Sequence, residues 1–519
     1  RPASANRYAG FFVQDDFRAT RKLTLNLGVR WDIETGSTER YDRLAVFDPT
    51  IRSPLSDSVG MELYGGYLFP GNGLDRRSVR QTDWRNIGPR VGIAYELTPK
   101  TAIRAGYGIF FGVPAYAGLF TGPMFNASTP WVTTLDGVTP YRFMSDPFPE
   151  GLNPQEGSTN GLAAAIAQGV GAPWPETMKA PYNQQWNFTI QQGLTSDVVL
   201  EMAYAGNKGT RLPMDWNINQ LHPDLLRPEN DLLSLVPNPF YGVIQTGTMA
   251  APMVQRGQLL RPFPQYTGVT LSRPSWGNSN YHAFQMKLEK RFSAGLTAMV
   301  AYNWSKLISD GGDNVWASAG HRNAYCRACD RSLSIYDQPH RLVSNFTWEL
   351  PLGRGKALGS GWNKAVDAVL GQWQINGIAT IGSARPLQFG VVQNTSFSFG
   401  GGQRPDNVGR SGELGSERSL SRWFDTTAFV LPQPYTFGNM GRVHPNVRGD
   451  RVENFDFSVF KNFNIRERGR VQFRAEAFNA FNHPIFGDPN TTVGDINFGR
   501  VTSQANGPRQ IQLALKVTF

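Results

Sequence analysis

The sequence predicts an all-β fold: an antiparallel transmembrane β-barrel with short periplasmic turns at one end and long extracellular loops at the other. Apolar and polar residues alternate through a series of segments about ten residues long, enough to cross a bilayer as tilted strands. Tight and long connections then take turns along the chain. Aromatics make up 12% of the 519 residues and charged residues only 18%, below the roughly 25% of an average soluble domain. Mean hydropathy nevertheless stays at −0.36. A wall with one face in lipid and the other in water reconciles these figures. No run approaches the roughly 18 apolar residues of a membrane-spanning helix.

The alternation is clearest over 23–32. Leu23, Leu25, Leu27, Val29 and Trp31 fall on one face, and Thr24, Asn26, Gly28, Arg30 and Asp32 on the other, because successive strand side chains point to opposite sides. The preceding segment, 7–17, repeats the pattern with Ala9, Phe11, Val13 and Phe17, and only Arg18 to Arg21 separate the two. Five more pairs follow. Residues 89–97 (Val91, Ile93, Tyr95, Leu97) turn at Thr98-Pro99-Lys100 into 101–112 (Ile103, Ala105, Tyr107, Ile109, Phe111). Residues 184–194 (Trp186, Phe188, Ile190) turn near Ser196-Asp197 into 198–206 (Leu200, Met202, Tyr204). Residues 281–292 (Phe284, Met286, Leu288, Phe292) turn at Ser293-Ala294-Gly295 into 296–306 (Leu296, Ala298, Val300, Tyr302, Trp304). Residues 340–350 (Leu342, Phe346, Trp348, Leu350) lead through 351–370 to 371–382 (Trp373, Ile375, Ala379, Ile381). Residues 452–463 (Phe455, Phe457, Val459) turn at Arg466-Glu467 into 469–480 (Val471, Phe473, Ala475, Ala477). The last segment is 509–519, with Ile511, Leu513, Leu515, Val517 and Phe519 opposite Gln510, Gln512, Lys516 and Thr518.

Between the pairs lie long polar stretches, 34–88, 113–183, 207–280, 307–339, 383–451 and 481–508, rich in Gly, Pro, Asn, Asp and aromatics. Such lengths argue against strands in a compact soluble domain. Outer-membrane barrels, in contrast, combine short periplasmic turns with long extracellular loops. The turn at 351–370 is the exception: Gly353, Gly355, Gly359 and Gly361 make it flexible, and Trp362, Val366 and Val369 fit one turn of interfacial helix. Its Gly353-Arg354-Gly355-Lys356 run lacks the spacing of a phosphate loop.

If the short turns are periplasmic, the first and last of the thirteen segments run in the same direction. An antiparallel barrel in one chain needs an even number of strands, and an open edge in lipid leaves backbone groups unpaired. Either a strand hides in a long connection or the barrel begins before Arg1; the second is expected, because no initiator Met or signal peptide precedes Arg1.

Trp31, Trp186, Trp304, Trp348 and Trp373 lie at or near segment ends, where an aromatic girdle belongs at the membrane–water interface. On the opposite face Arg30, Arg90, Arg104, Glu96, Lys287, Glu289, Arg291, Arg474 and Glu476 are expected to pair across strands. Cys326 and Cys329 form one C-R-A-C pair in an irregular polar stretch, without the βαβ context of a redox motif or two further zinc ligands. A small disulfide loop in an oxidising compartment is expected. The net charge of +10 is scattered singly, with no basic patch, so nucleic acid is not an expected partner. There is no G-x-S-x-G, H-E-x-x-H or calcium-loop motif. Asp310, Asp313 and Asn314 lack calcium-loop spacing, and His321, His340, His444 and His483 are isolated and read as loop hydrogen-bonding residues. Neither enzyme activity nor a cofactor is expected.

Several stretches share an order and spacing with a known family: Phe12-Val13-Gln14-Asp15-Asp16-Phe17 followed by Leu23 to Gly28, Tyr302 to Lys306, and Asp337-Gln338-Pro339-His340-Arg341. To these add Glu349 to Lys356, Trp423 to Phe429, and Phe473 to Pro484. Across nearly its whole length the chain resembles the C-terminal barrel part of TonB-dependent outer-membrane receptors, in particular the Oar-like group with a carboxypeptidase-regulatory-like N-terminal domain. The resemblance implies a 22-stranded barrel, of which this chain would supply about 13–14 strands, with the plug domain and TonB box outside it. It implies the bacterial outer membrane as location and outer-membrane lipid as surroundings. The implied partners are TonB, engaged through the missing plug, and an extracellular solute. It also implies that Leu513, Leu515, Val517 and Phe519 form the signal read by the barrel-assembly machinery.

The function implied is uptake, or for some Oar-like members export, of a large solute. A passive porin or surface adhesin barrel without TonB coupling is the alternative, and a signal peptide directly before Arg1 would favour it. A secreted soluble β-protein would instead bury Leu23, Leu25, Leu27, Leu513, Leu515 and Val517 under other protein. No loop residue selects among siderophores, oligosaccharides, peptides and proteins as cargo. Deleting Phe519 is expected to lower the amount of chain in the outer-membrane fraction several-fold, measured by immunoblot after urea washing; an unchanged amount overturns the terminal signal.

Overall fold

The computed structural model describes residues 3–112, 122–245, 247–311, 321–465 and 469–519. Thirteen strands follow one another in a single antiparallel meander, each paired with its neighbours in sequence. They are β1 (Tyr8–Arg18), β2 (Leu23–Glu34), β3 (Ile87–Thr98), β4 (Thr101–Phe111), β5 (Tyr182–Gly193), β6 (Val198–Pro213) and β7 (Ser275–Ser293). The remainder are β8 (Leu296–Ser309), β9 (His340–Glu349), β10 (Trp373–Gly382), β11 (Val452–Ile465), β12 (Gly469–Phe478) and β13 (Gln510–Thr518). A two-residue strand, Ser332–Leu333, joins the end of β8. Among the described residues no ladder joins β1 to β13, and those two strands run in the same direction. The turn assigned to Arg466-Glu467, like Asp313 and Asn314, lies outside the described residues.

Register carries the sequence alternation from strand to strand. Leu25 faces Ile93, Ile93 faces Ala105, Ala105 faces Phe188, Phe188 faces Tyr204, Tyr204 faces Phe284 and Phe284 faces Trp304. Nearer the C-terminus Trp348 faces Ile375, Ile375 faces Val459, Val459 faces Ala475 and Ala475 faces Leu513. The apolar rows therefore form one continuous outer surface, and because the side-chain period is two, a slip of one residue would turn a whole row inward. These residues are not a buried core. Leu513 is 66% exposed and Leu515 67%, so the soluble reading, which would bury them under protein, is not what the fold shows. Asp15 interrupts the row on β1, three residues from the end of that strand.

The strands are longer than the alternation suggests. β6 has 16 residues and β7 has 19, against roughly 9–11 needed to span a bilayer. Their extra length lies toward the long connections, where Gly206 interrupts the apolar row of β6. In the long turn, the helix Lys364–Leu370 is capped by Asn363, whose side chain accepts from the Val366 N–H at 2.9 Å. Trp362 lies outside that helix.

The long connections depart most from expectation, because they are ordered and hold the buried core. The largest wholly buried side chains, including Tyr67, Tyr266, Phe47, Phe69, Phe240 and Phe424, all belong to them. Phe47, Tyr67 and Phe69 from the β2–β3 connection pack with Met124 and Val170 from β4–β5 and with Phe263, Tyr266 and Val269 from β6–β7. Leu387, Phe389, Trp423 and Phe424 from β10–β11 pack with Val493 from β12–β13. Small parallel pairings reinforce these cores: Gly169–Ala172 with Gly268–Leu271, and Gly390–Val391 with Thr492–Val493. The aromatics of these stretches were visible in the sequence, but dispersed among Gly, Pro and Asn they show no period that would reveal a shared core.

Replacing outward-facing Ile93 by Arg is expected to destabilise the folded chain by about 2–4 kcal/mol in lipid vesicles. Inward-facing Gln185→Arg should change stability by less than about 1 kcal/mol. Urea titration of the refolded protein measures both, and equal losses would contradict the assignment of faces.

Candidate functional site

All six long connections leave the same end of the sheet, and specific polar contacts lock them into one cap. Gln220, wholly buried in the β6–β7 connection, donates to the carbonyls of Arg322 at 2.8 Å and Gly400 at 2.6 Å, and accepts from the Ala324 N–H. One amide thus ties three connections together. The carboxylate of Asp337, almost fully buried before β9, meets Arg448 from the β10–β11 connection at 2.8 Å. Asp330 and Arg404, both buried, pair at 2.7 Å across the same two connections. Removing one partner of a buried pair typically costs about 3–5 kcal/mol, so these pairs fix how the connections sit against each other.

Asp330 ends the short helix Arg327–Asp330, next to a disulfide joining Cys326 and Cys329, whose Cα atoms are 5.4 Å apart. His321 stacks on Trp216 with ring centroids 4.0 Å apart, and burial holds its imidazole below the ordinary pKa. In the β2–β3 connection the Arg43 guanidinium and three backbone N–H groups hold the Glu39 carboxyl down at about 2. Among the described residues no group of three or more His, Cys, Asp or Glu side chains is placed to hold a metal ion.

The inward face of the sheet is polar, but among the described residues the charges expected to pair across strands form no cross-strand ion pair with one another. Register sets most of the arginines opposite Gly, Ala, Thr or Phe: Arg90 faces Gly108, Arg104 faces Ala94 and Thr189, and Arg474 faces Phe460 and Ala514. Arg90 and Arg474 consequently lie over the rings of Phe110 and Phe460, at 4.7 and 4.8 Å. Ion pairs form along a strand instead, Arg30 with Asp32 at 2.8 Å and Lys287 with Glu289 at 3.5 Å. At the short-turn end, Arg18, Lys22, Arg104 and Arg291 with Glu96 line a hollow of about 750 Å³. On the turn side Asp197 accepts from Lys290 and Ser293, clamping the β5–β6 turn to β7.

The outward face carries the tryptophans. Trp31, Trp186 and Trp304 lie toward the long connections, and Trp348 and Trp373 toward the turns, so the five fall into two groups. Trp31 donates to the Trp84 carbonyl at 2.7 Å and Trp373 to the Val369 carbonyl at 2.9 Å. Lys461, on the same face and almost fully buried, donates to the Gly371 carbonyl and lies 5.4 Å from the Trp373 ring centroid. Leu513, Leu515 and Val517 stand on the outer row of β13, whereas Phe519 lies one residue past the strand and is fully exposed.

Sequence reasoning missed a repeated device on this face. The Tyr204 hydroxyl bonds His282 Nδ1 at 2.8 Å, with rings 6.2 Å apart and 18° from parallel. Two strands further on, the Tyr302 hydroxyl bonds His340 Nδ1 with the same distances and angle. His340 is therefore the first residue of β9 and not a loop residue. The signal was present: both histidines fall in phase with the apolar period of their strands.

An unbroken antiparallel meander with an exposed apolar row on one face and a polar inner face defines the wall of an outer-membrane β-barrel. The chain belongs to the family described as outer membrane beta barrel domain, whose model matches residues 1–512, and it resides in the bacterial outer membrane. Solved structures that it resembles include FpvA of P. aeruginosa (10% identity, 100% of this chain and 39% of that one, TM-score 0.39). Others are the Escherichia coli outer membrane transporter YddB (9%, 100% and 54%, 0.43) and the siderophore receptor PiuA from Acinetobacter baumannii (9%, 99% and 43%, 0.39). The chain spans about half or less of the length of these proteins. No curated protein matches it.

His444 supplies a pH test of the cap. It packs edge-on against Phe429 at 5.2 Å, its Nδ1 accepts from the Val447 N–H at 3.0 Å, and burial pushes its pKa down to about 4. The unfolded imidazole titrates near 6.5, so between these values the unfolded state binds more protons. The stabilisation is complete above about 6.5 and is lost as pH falls toward 4, on the order of 1–3 kcal/mol. Protection factors of the amides from Phe424 to Phe429 should fall as pH drops through that window in the wild type and much less in His444→Gln; identical profiles refute the coupling.

Proposed function

We propose that this chain is the barrel of a TonB-dependent outer-membrane receptor of the Oar-like group, moving a large solute across the outer membrane. The observation that supports this best is the cap: six long connections from one end of the sheet share hydrophobic cores and buried ion pairs. A preorganised surface of that kind suits recognition, since ordering entropy is spent on folding and not on binding. A passive porin needs only a water-filled channel. On this reading the plug and TonB box lie elsewhere in the parent protein. The cationic hollow formed by Arg18, Lys22, Arg104 and Arg291 would face the plug.

The test compares culture medium from the parent strain, a strain lacking this gene, and each of these without TonB. A solute whose depletion from the medium, or release into it, requires both the gene and TonB is the expected outcome. A solute that requires the gene alone would make the barrel a passive channel, and no solute difference with loss of surface binding would make it an adhesin.

A further inference from the structure

The segment from Arg322 to Arg331, between β8 and β9, joins the β6–β7 and β10–β11 connections. Its Arg322 carbonyl and Ala324 N–H hold the Gln220 amide, and the Tyr325 hydroxyl donates to the Gln220 carbonyl at 3.0 Å. The Trp216 indole donates to the Ala324 carbonyl at 3.1 Å, Arg322 donates to the Gly438 carbonyl, and Asp330 meets Arg404. Within this segment Cys326 and Cys329 close a disulfide-bonded turn, in which the Cys329 N–H donates to the Cys326 carbonyl at 3.3 Å.

The bond is placed for chemistry more than for stapling. A disulfide stabilises more the longer the loop it closes, and these cysteines are only 3 residues apart. Both are half-buried, so a small reagent can reach them. Arg322, Arg327 and Arg331 flank them in sequence, and nearby cations favour the thiolate that exchange must release. Beside the turn lies a cavity of about 410 Å³ lined by Cys329 together with Arg322, Asn323, Asp406, Gln433 and Asn439. The Arg322 guanidinium donates to carbonyls, of Gly438 and of Cys329 at 3.5 Å, and Asp406 accepts from the Asn439 N–H at 2.7 Å. Among the described residues neither has an ion-pair partner within 4.0 Å, so each keeps its charge for a ligand. A disulfide at the edge of a cavity offering one cation and one anion complements a thiol that carries both carboxylate and ammonium.

We infer that Cys326–Cys329 is a thiol–disulfide exchange site whose cavity seats an amino-acid thiol, carboxylate on Arg322 and ammonium on Asp406, and that exchange loosens the cap at Gln220. The incoming thiolate bonds to the Cys329 sulfur, the bond to Cys326 breaks, and its electron pair leaves on Cys326, which takes a proton from water. A second thiol then releases the small disulfide and leaves two cysteine thiols: one disulfide is reduced and two small thiols are oxidised. The inference concerns the cap and holds whatever the barrel transports. To test it, the purified chain in detergent is incubated with glutathione, cysteamine or 2-mercaptoethanol at equal thiolate concentration, then alkylated and weighed intact. Alkylation of the freed Cys326 preserves the adduct. Glutathione should modify Cys329 about tenfold faster than the other two thiols. Arg322→Gln and Asp406→Asn should each lower the glutathione rate about fivefold relative to the 2-mercaptoethanol rate. Hydrogen exchange at Ala324 and Gly402, whose N–H groups bond Gln220 and the His321 carbonyl, should rise several-fold in the adduct and in the Cys326→Ser/Cys329→Ser variant. Exchange at Phe240, in a separate core, should match the oxidised chain and shows that the fold persists. Equal rates for the three thiols, or no reaction with millimolar glutathione, overturn the site. An adduct with unchanged exchange at Ala324 and Gly402 overturns its coupling to the cap.

Discussion

Lipid offers no partner to a backbone N–H or C=O, so a strand crossing the membrane must satisfy every such group in the ladders on either side. The thirteen-strand meander follows from that constraint. Each strand pairs with the ones before and after it in sequence, and the turns between pairs can be as short as Thr98 to Thr101 because adjacent strands need no crossover. With the ladder fixed, the period of two decides the rest: one row of every strand faces lipid and the next faces the interior. The apolar row then has no protein to pack against, which is why its leucines and phenylalanines are exposed.

Freed from supplying a core, the membrane wall leaves that task to the connections. Their cores are built jointly, Phe47 and Tyr67 against Phe263 and Tyr266, Phe389 and Phe424 against Val493, so no connection folds without its neighbours. Long β6 and β7 carry the ladder past the membrane and give the cap a rigid base. Gln220, Asp337–Arg448 and Asp330–Arg404 then set the connections in one arrangement. A cap held in this way presents one fixed surface.

The two faces of the wall solve their electrostatics differently. Inside, arginines opposite small residues have room to lie on phenylalanine rings, and charges pair along a strand where the two-residue spacing brings them close. Outside, near the long connections, the Tyr–His pairs on neighbouring strands satisfy each other. Lys461 is the one deeply buried cation on that face among the described residues, and the Gly371 carbonyl and the Trp373 ring surround it.

Residues 23–32 illustrate how much was legible in advance. Alternation alone places Leu25 outward and Asn26 inward, and the pairing with Ile93 and Gly92 agrees with it. All thirteen strands, their order and the side on which long connections lie could be read in the same way, because period and turn length are local properties of a chain. The strand ends beyond Gly206 could not, since alternation stops where lipid stops while the ladder continues. Nor could the partners of Arg90 or His282, because they are set by which residue of a distant strand stands opposite. The cores at Tyr67, Tyr266 and Phe424 join residues up to about two hundred positions apart with no periodic signature. The sequence by itself thus determined a lipid-facing antiparallel wall, since one face in two must be apolar wherever a strand meets the membrane. Only the tertiary structure decided what that wall carries, an interlocked cap, because register and long-range packing bring its residues together.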